Sequence, residues 1–143
     1  MNKVANLEEY KLKLKYDGQV SIAVGKNRYE TNWKNKKILW SSLVAKLKNP
    51  VITPETYAEY MKLGKAEQDR IKDVGGFVGG TLTNGKRKAD SVATRQILTL
   101  DADYAPVDFF DTLELLADYA CCVYSTHKHS PENPRYRLLI PLD

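Results

Sequence analysis

The stretch that most restricts the fold is Ile97-Leu98-Thr99-Leu100-Asp101-Ala102-Asp103, an apolar run ending in two carboxylates one residue apart. Such a short aliphatic run predicts a strand. On a strand, residues i and i+2 share a face, so Asp101 and Asp103 stand side by side with Cα atoms roughly 6.5 Å apart. Two ionised carboxylates that close repel each other unless a cation lies between them. A hard divalent ion, Mg²⁺ or Mn²⁺, suits oxygen ligands of this kind. The pair is thus a candidate metal site for nucleotide chemistry. Asp-x-Asp ahead of a helix is equally open to a plainer reading, a turn with Asp103 favouring the helix N-terminus.

The flanking patterns predict the other elements. Tyr10 to Tyr16 alternates apolar and basic residues, Asp17-Gly18 reads as a turn, and Val20 to Val24 as a second strand, together a hairpin. Gly25 to Lys37 is polar and irregular. Ser41 is placed to cap a short helix with Leu43, Val44 and Leu47 on its apolar face, ended by Asn49-Pro50. Thr53-Pro54-Glu55 reads as the next helix start, and a further helix runs from about Lys65 to Asp73 before Gly75-Gly76. Phe77 to Thr83 and Ser91 to Leu100 read as strands joined by a turn near Asn84-Gly85. Pro106 to Tyr119 carries Phe109, Phe110, Leu113, Leu116 and Ala117 at helical spacing. Strands at Ala120–Thr126 and Arg135–Leu142 follow, separated by the loop Ser130-Pro131-Glu132-Asn133-Pro134. The pattern predicts an α/β or α+β fold, a mixed sheet with flanking helices and at least one crossover.

The chain has 143 residues, 43% hydrophobic and 28% charged, the balance of one globular domain. Residues 1–74 supply strands and helices, and 75–143 the motif-bearing sheet core. No stretch is long and apolar enough for a membrane span, and Met1 to Glu9 lacks a signal-peptide core. Cys121 and Cys122 are adjacent on a strand, where side chains diverge, so they read as reduced, buried thiols of a cytoplasmic protein. The net charge of +4 permits nucleic-acid contact without requiring it. Lys86, Arg87 and Lys88 are a candidate phosphate-backbone patch, as are Lys34, Lys36 and Lys37, against the alternative of solvated loops. Gly80 to Arg87 nearly matches a P-loop, but Arg87 replaces the hydroxyl that Mg²⁺ requires and no helix is predicted to follow.

Alternation groups further residues. Ser125 and His127 share a face of the Ala120–Thr126 strand and its extension, and Arg135 and Arg137 share a face of the last strand. If these strand ends meet Asp101 and Asp103, the site holds two carboxylates, a hydroxyl, imidazoles and two guanidiniums. That inventory suits a nucleoside triphosphate with its metal: Ser125 and His127 hydrogen-bond the phosphates and the arginines neutralise charge. Taken singly, His127 and His129 are as easily loop residues, and the arginines surface partners of Glu132 or Asp143. A zinc site from the cysteines and histidines fits no standard spacing.

Leu100-Asp101-Ala102-Asp103 followed by Tyr124-Ser125-Thr126-His127 resembles the archaeo-eukaryotic primase (primase-polymerase) superfamily, whose first two motifs are an acidic pair and Ser-x-His. Tyr124 to Leu142, with Arg135-Tyr136-Arg137-Leu138-Leu139-Ile140-Pro141-Leu142, looks like the corresponding region of phage and prophage replication proteins. The resemblance is specific from about Gly75 to Leu142. It implies an incomplete primase-polymerase-like core and nucleotidyl transfer from nucleoside triphosphates on single-stranded or primed DNA. Asp101 and Asp103 would bind Mg²⁺ or Mn²⁺, Ser125 and His127 the phosphates, with a replicative helicase as neighbour, in the cytoplasm of a bacterial host. The family's third motif, a further acid on a later strand, has no match before Asp143. The resemblance therefore implies the front part of such a domain, weak or inactive alone. A non-catalytic phage regulator retaining the core, or a nuclease using the same acids, are the alternatives.

Overall fold

β1 (Gln19–Gly25) is buried on both faces from Val20 to Ala23, as a central strand must be. It pairs antiparallel with β2 (Lys34–Leu39) on one side and β3 (Gly76–Val78) on the other. These positions come from a computed structural model, which describes residues 14–142. Among them the fold is α+β, with three small antiparallel sheets and four α-helices. The second sheet pairs β4 (Gly80–Leu82) with β5 (Val92–Arg95). The third has the order β6-β8-β7, from β6 (Ile97–Ala102), β7 (Cys122–Ser125) and β8 (Tyr136–Pro141).

Both outer strands of the third sheet run antiparallel to β8, so they run parallel to each other. Helix α4 (Phe109–Leu116) connects them, the crossover the sequence predicted, with β8 inserted between. One core joins the chain's two halves: Val20 and Ile22 from β1, Leu43 and Val44 with Trp40 from α1 (Trp40–Leu47), and Ile97 and Leu139 from the third sheet. No helix among the described residues is long and apolar enough to cross a membrane.

Several local expectations are corrected. The hairpin strand at 10–16 lies mostly outside the described residues; its described end, Leu14 to Tyr16, is not a strand, although Leu14 and Tyr16 pack on the core. Lys34 to Lys37, expected to be irregular, belong to edge strand β2, all four residues exposed; lysines there discourage pairing with another chain. Ser41 is not the cap of α1. The helix begins at Trp40, and Asp17 accepts hydrogen bonds from the Ser41 backbone N–H and hydroxyl, both at 2.8 Å. The next helix, α2 (Tyr57–Lys62), starts three residues later than Thr53 suggested, because Thr56 and Glu59 form a reciprocal capping box.

The strand expected at Phe77–Thr83 is broken at Gly79-Gly80, where the chain leaves one sheet for another. A Cβ on Gly80 would stand 1.8 Å from the Thr94 carbonyl oxygen, and one on Gly79 2.6 Å from that of Ile97, so backbone approaches backbone where only glycine fits. Asn84 and Gly85 both take positive φ, as the Asn-Gly pair predicted, but the connection extends through Ser91 rather than closing in two residues. Likewise Ser91–Leu100 is two strands, β5 and β6, interrupted at Gln96. α4 is shorter than Pro106–Tyr119 at both ends and buries no residue fully.

Leu139 is fully buried and Leu115 is 84% exposed. Leu139→Ala is expected to lower the unfolding free energy by about 2–5 kcal/mol in a urea titration. Leu115→Ala should stay within about 0.5 kcal/mol of the parent.

Candidate functional site

The register of the third sheet decides which side chains meet. Arg137 lies opposite Asp101 on β6 and opposite Tyr124 on β7. Directly opposed residues share a face, so Asp101, Arg137 and Tyr124 form a row across the sheet. Arg137 donates from Nε to Asp101 Oδ1 at 2.6 Å and from its terminal nitrogen to Oδ2 at 3.3 Å, a two-pronged contact. One step further along, Arg135 reaches Asp103 at 3.4 Å. The structure thus brings together Asp101, Asp103, Arg135 and Arg137. The repulsion between the carboxylates is met by two guanidiniums. The arginines' partners are these aspartates rather than Glu132; Asp143 lies outside the described residues.

The other expected residues are elsewhere. Ser125 lies opposite Tyr136, which lies opposite Ala102, so alternation directs this row to the other face of the sheet, away from Asp101. There Tyr136 stacks on Phe109 of α4, with ring centroids 5.5 Å apart, and packs against His129 at 4.9 Å. His127 follows the end of β7 and its ring meets Tyr60 of α2 edge-on, at 4.4 Å. His129 accepts the Arg135 backbone N–H on Nδ1 at 3.1 Å, which ties the loop to the start of β8. Lys86, Arg87 and Lys88 are exposed on the β4–β5 connection, where Arg87 lies 5.1 Å over the Trp33 ring.

The family of domains that matches is the VapE N-terminal domain, over residues 5–143. The chain belongs to that family. It is a phage and prophage family associated with replication, in agreement with the setting that the primase-like motifs implied. No curated protein and no solved structure matches the chain.

In this family member the electrostatics follow the row. Asp101 holds the Arg137 guanidinium above its ordinary value, burial opposes this, and Tyr124 adds to it. Burial pushes the Tyr124 phenol up, while Arg137 pulls it down. Burial also raises both thiols, Cys122 with a further contribution from Cys121. Among the described residues no three His, Cys, Asp or Glu side chains converge as a ready-made metal cluster. Asp101, on β6, and Asp103, just beyond its end, are about half exposed and carry hard oxygen donors. One or two carboxylates, completed by water and phosphate oxygens, are a donor set that Mg²⁺ takes. Tyr124 was missed in the sequence. Its signal was parity with Cys122, but that needs the β7–β8 register, which sequence does not print.

A double-mutant cycle on Asp101→Asn and Arg137→Gln, read by urea unfolding, is expected to give a coupling of about 0.5–1 kcal/mol, the range of half-exposed ion pairs. Because both thiols sit above the ordinary cysteine range, alkylation by iodoacetamide at pH 8 should be slower than for free cysteine, and its midpoint should lie at higher pH.

Proposed function

We propose that the chain is the N-terminal part of a phage-type DNA primase or polymerase, with Asp101 and Asp103 as ligands of Mg²⁺ or Mn²⁺ and Arg135 and Arg137 on the triphosphate of a nucleotide. The observation that supports this reading most is the set of four side chains gathered at one end of β6 and β8, Asp101 opposite Arg137 in register and Asp103 with Arg135 just beyond the strand ends, two hard oxygen ligands beside two phosphate-shaped donors. The metal, when bound, would supply charge neutralisation for phosphoryl chemistry. The chain's own part is to hold the carboxylates at a strand end and to present the guanidinium forks beside them. His127, on the turn after β7, is proposed as a further phosphate contact. For Ser125 the support is the motif alone, since its strand parity points it to the other sheet face. Lys86, Arg87 and Lys88 are proposed to touch the backbone of single-stranded or primed DNA, and a replicative helicase is the proposed neighbour.

A second reading, a non-catalytic nucleic-acid-binding phage regulator, is favoured by one observation: both carboxylates already have cationic partners. DNA binding without nucleotide incorporation would select it.

Calorimetry tests the first reading. Mn²⁺ is expected to tighten nucleoside triphosphate binding by about tenfold or more, equivalent to about 1.4 kcal/mol. In Asp101→Ala/Asp103→Ala this dependence on metal should vanish. Absence of nucleotide binding with Mn²⁺, or an unchanged dependence in the variant, counts against the assignment. Replacing Lys86, Arg87 and Lys88 together by alanine should weaken single-stranded DNA binding and reduce the slope of log affinity against log salt by about 2.

A further inference from the structure

We infer that Arg135 and Arg137 are exchangeable counter-ions: without metal they neutralise Asp103 and Asp101, and metal binding to the carboxylates releases them to hold phosphate. The inference rests on the metal and nucleotide reading above and adds a regulation to it. The Arg137 fork engages both oxygens of Asp101, the same atoms a hard cation would take. Guanidinium and divalent ion repel each other, so occupancy by one disfavours the other. The pairs are also easy to exchange. Asp101 and Arg137 side chains are 52% and 40% exposed, and ion pairs in that setting contribute little net stability. The Arg135–Asp103 pair is longer, at 3.4 Å.

Each arginine has a neighbour that holds it near the site. Arg137 is flanked by the half-buried Tyr124, which lies directly opposite it on β7. Arg135, while paired with Asp103, also lies 5.8 Å from the centroid of the exposed Tyr104 ring, a neighbour it keeps on leaving the carboxylate. A phosphate presents the same pair of acceptor oxygens as a carboxylate, so the released forks need no new geometry. The carboxylates therefore act as an internal competitor for anions. Triphosphate alone meets occupied arginines, and triphosphate with metal meets free ones.

The experiment uses inorganic triphosphate as the probe, in calorimetry on the full chain with EDTA and with Mn²⁺. Wild type is expected to bind weakly in EDTA and at least about tenfold tighter with Mn²⁺. Asp101→Asn/Asp103→Asn, which removes the competing charge while conserving side-chain shape, is expected to bind triphosphate in EDTA about tenfold tighter than wild type does. That gain should disappear when Arg135→Gln/Arg137→Gln is added. A metal-dependent wild type whose Asn variant gains nothing in EDTA overturns the exchange and leaves the metal and nucleotide reading standing. A gain that persists without the arginines also overturns it, as a general charge effect. A wild type that binds no triphosphate with Mn²⁺ overturns both. Should the Asn variant fail to fold, the arginine Nε–H resonances of wild type decide. Mg²⁺ with triphosphate is expected to shift those of Arg135 and Arg137 together, and unmoved resonances at saturation overturn the exchange.

Discussion

The insertion of β8 between β6 and β7 is the constraint on which the rest of this structure depends. Because β8 pairs with both neighbours, a single register sets every lateral contact in the sheet. It places Leu139 in the core shared with β1 and α1, and two residues earlier, on the same face, Arg137 between Asp101 and Tyr124. The buried and the charged parts of that face are one strand's alternation, with the apolar end anchoring the polar end. The opposite face follows the same rule: Tyr136 takes the aromatic side chains of α4, and Ser125 comes with it.

Two carboxylates side by side pose an electrostatic problem that has more than one solution. Here each meets a guanidinium, and the arrangement is neutral without an ion. These pairs lie partly in water, where screening reduces their worth, so the fold does not rely on them. The apolar cluster of Val20, Ile22, Trp40, Leu43, Ile97 and Leu139 carries that duty. Stability and the charged row are thus carried by different residues.

What the sequence disclosed was what alternation and capping encode locally. β1, β6, β7, β8 and α4 lie where the apolar periods indicated, and so does the crossover between β6 and β7. The two aspartates and the two arginines expected to meet do lie together, although Asp103 and Arg135 fall just outside β6 and β8. Three things were not legible in the sequence. The face on which Ser125 falls relative to Asp101 depends on a register between strands, not on either strand's own pattern. The side chain that accepts from the first turn of α1 is Asp17, through Ser41, too distant in the chain for a local capping rule to find. The break at Gly79-Gly80 depends on what the backbone meets there, Thr94 and Ile97, which only the assembled sheets supply.

That glycine corner has a mechanical side. The Gly79 carbonyl accepts hydrogen bonds from the backbone N–H groups of both Gln96 and Ile97, each at 2.9 Å, at the joint between β5 and β6. From Val92 to Ala102 the chain runs as two strands, interrupted at Gln96, that belong to different sheets. The first follows the basic turn at Lys86 to Lys88, and the second leads to the acidic pair. A side chain at Gly79 would collide with Ile97 and part both hydrogen bonds, so this one carbonyl is the clasp that keeps the three sheets joined at the corner.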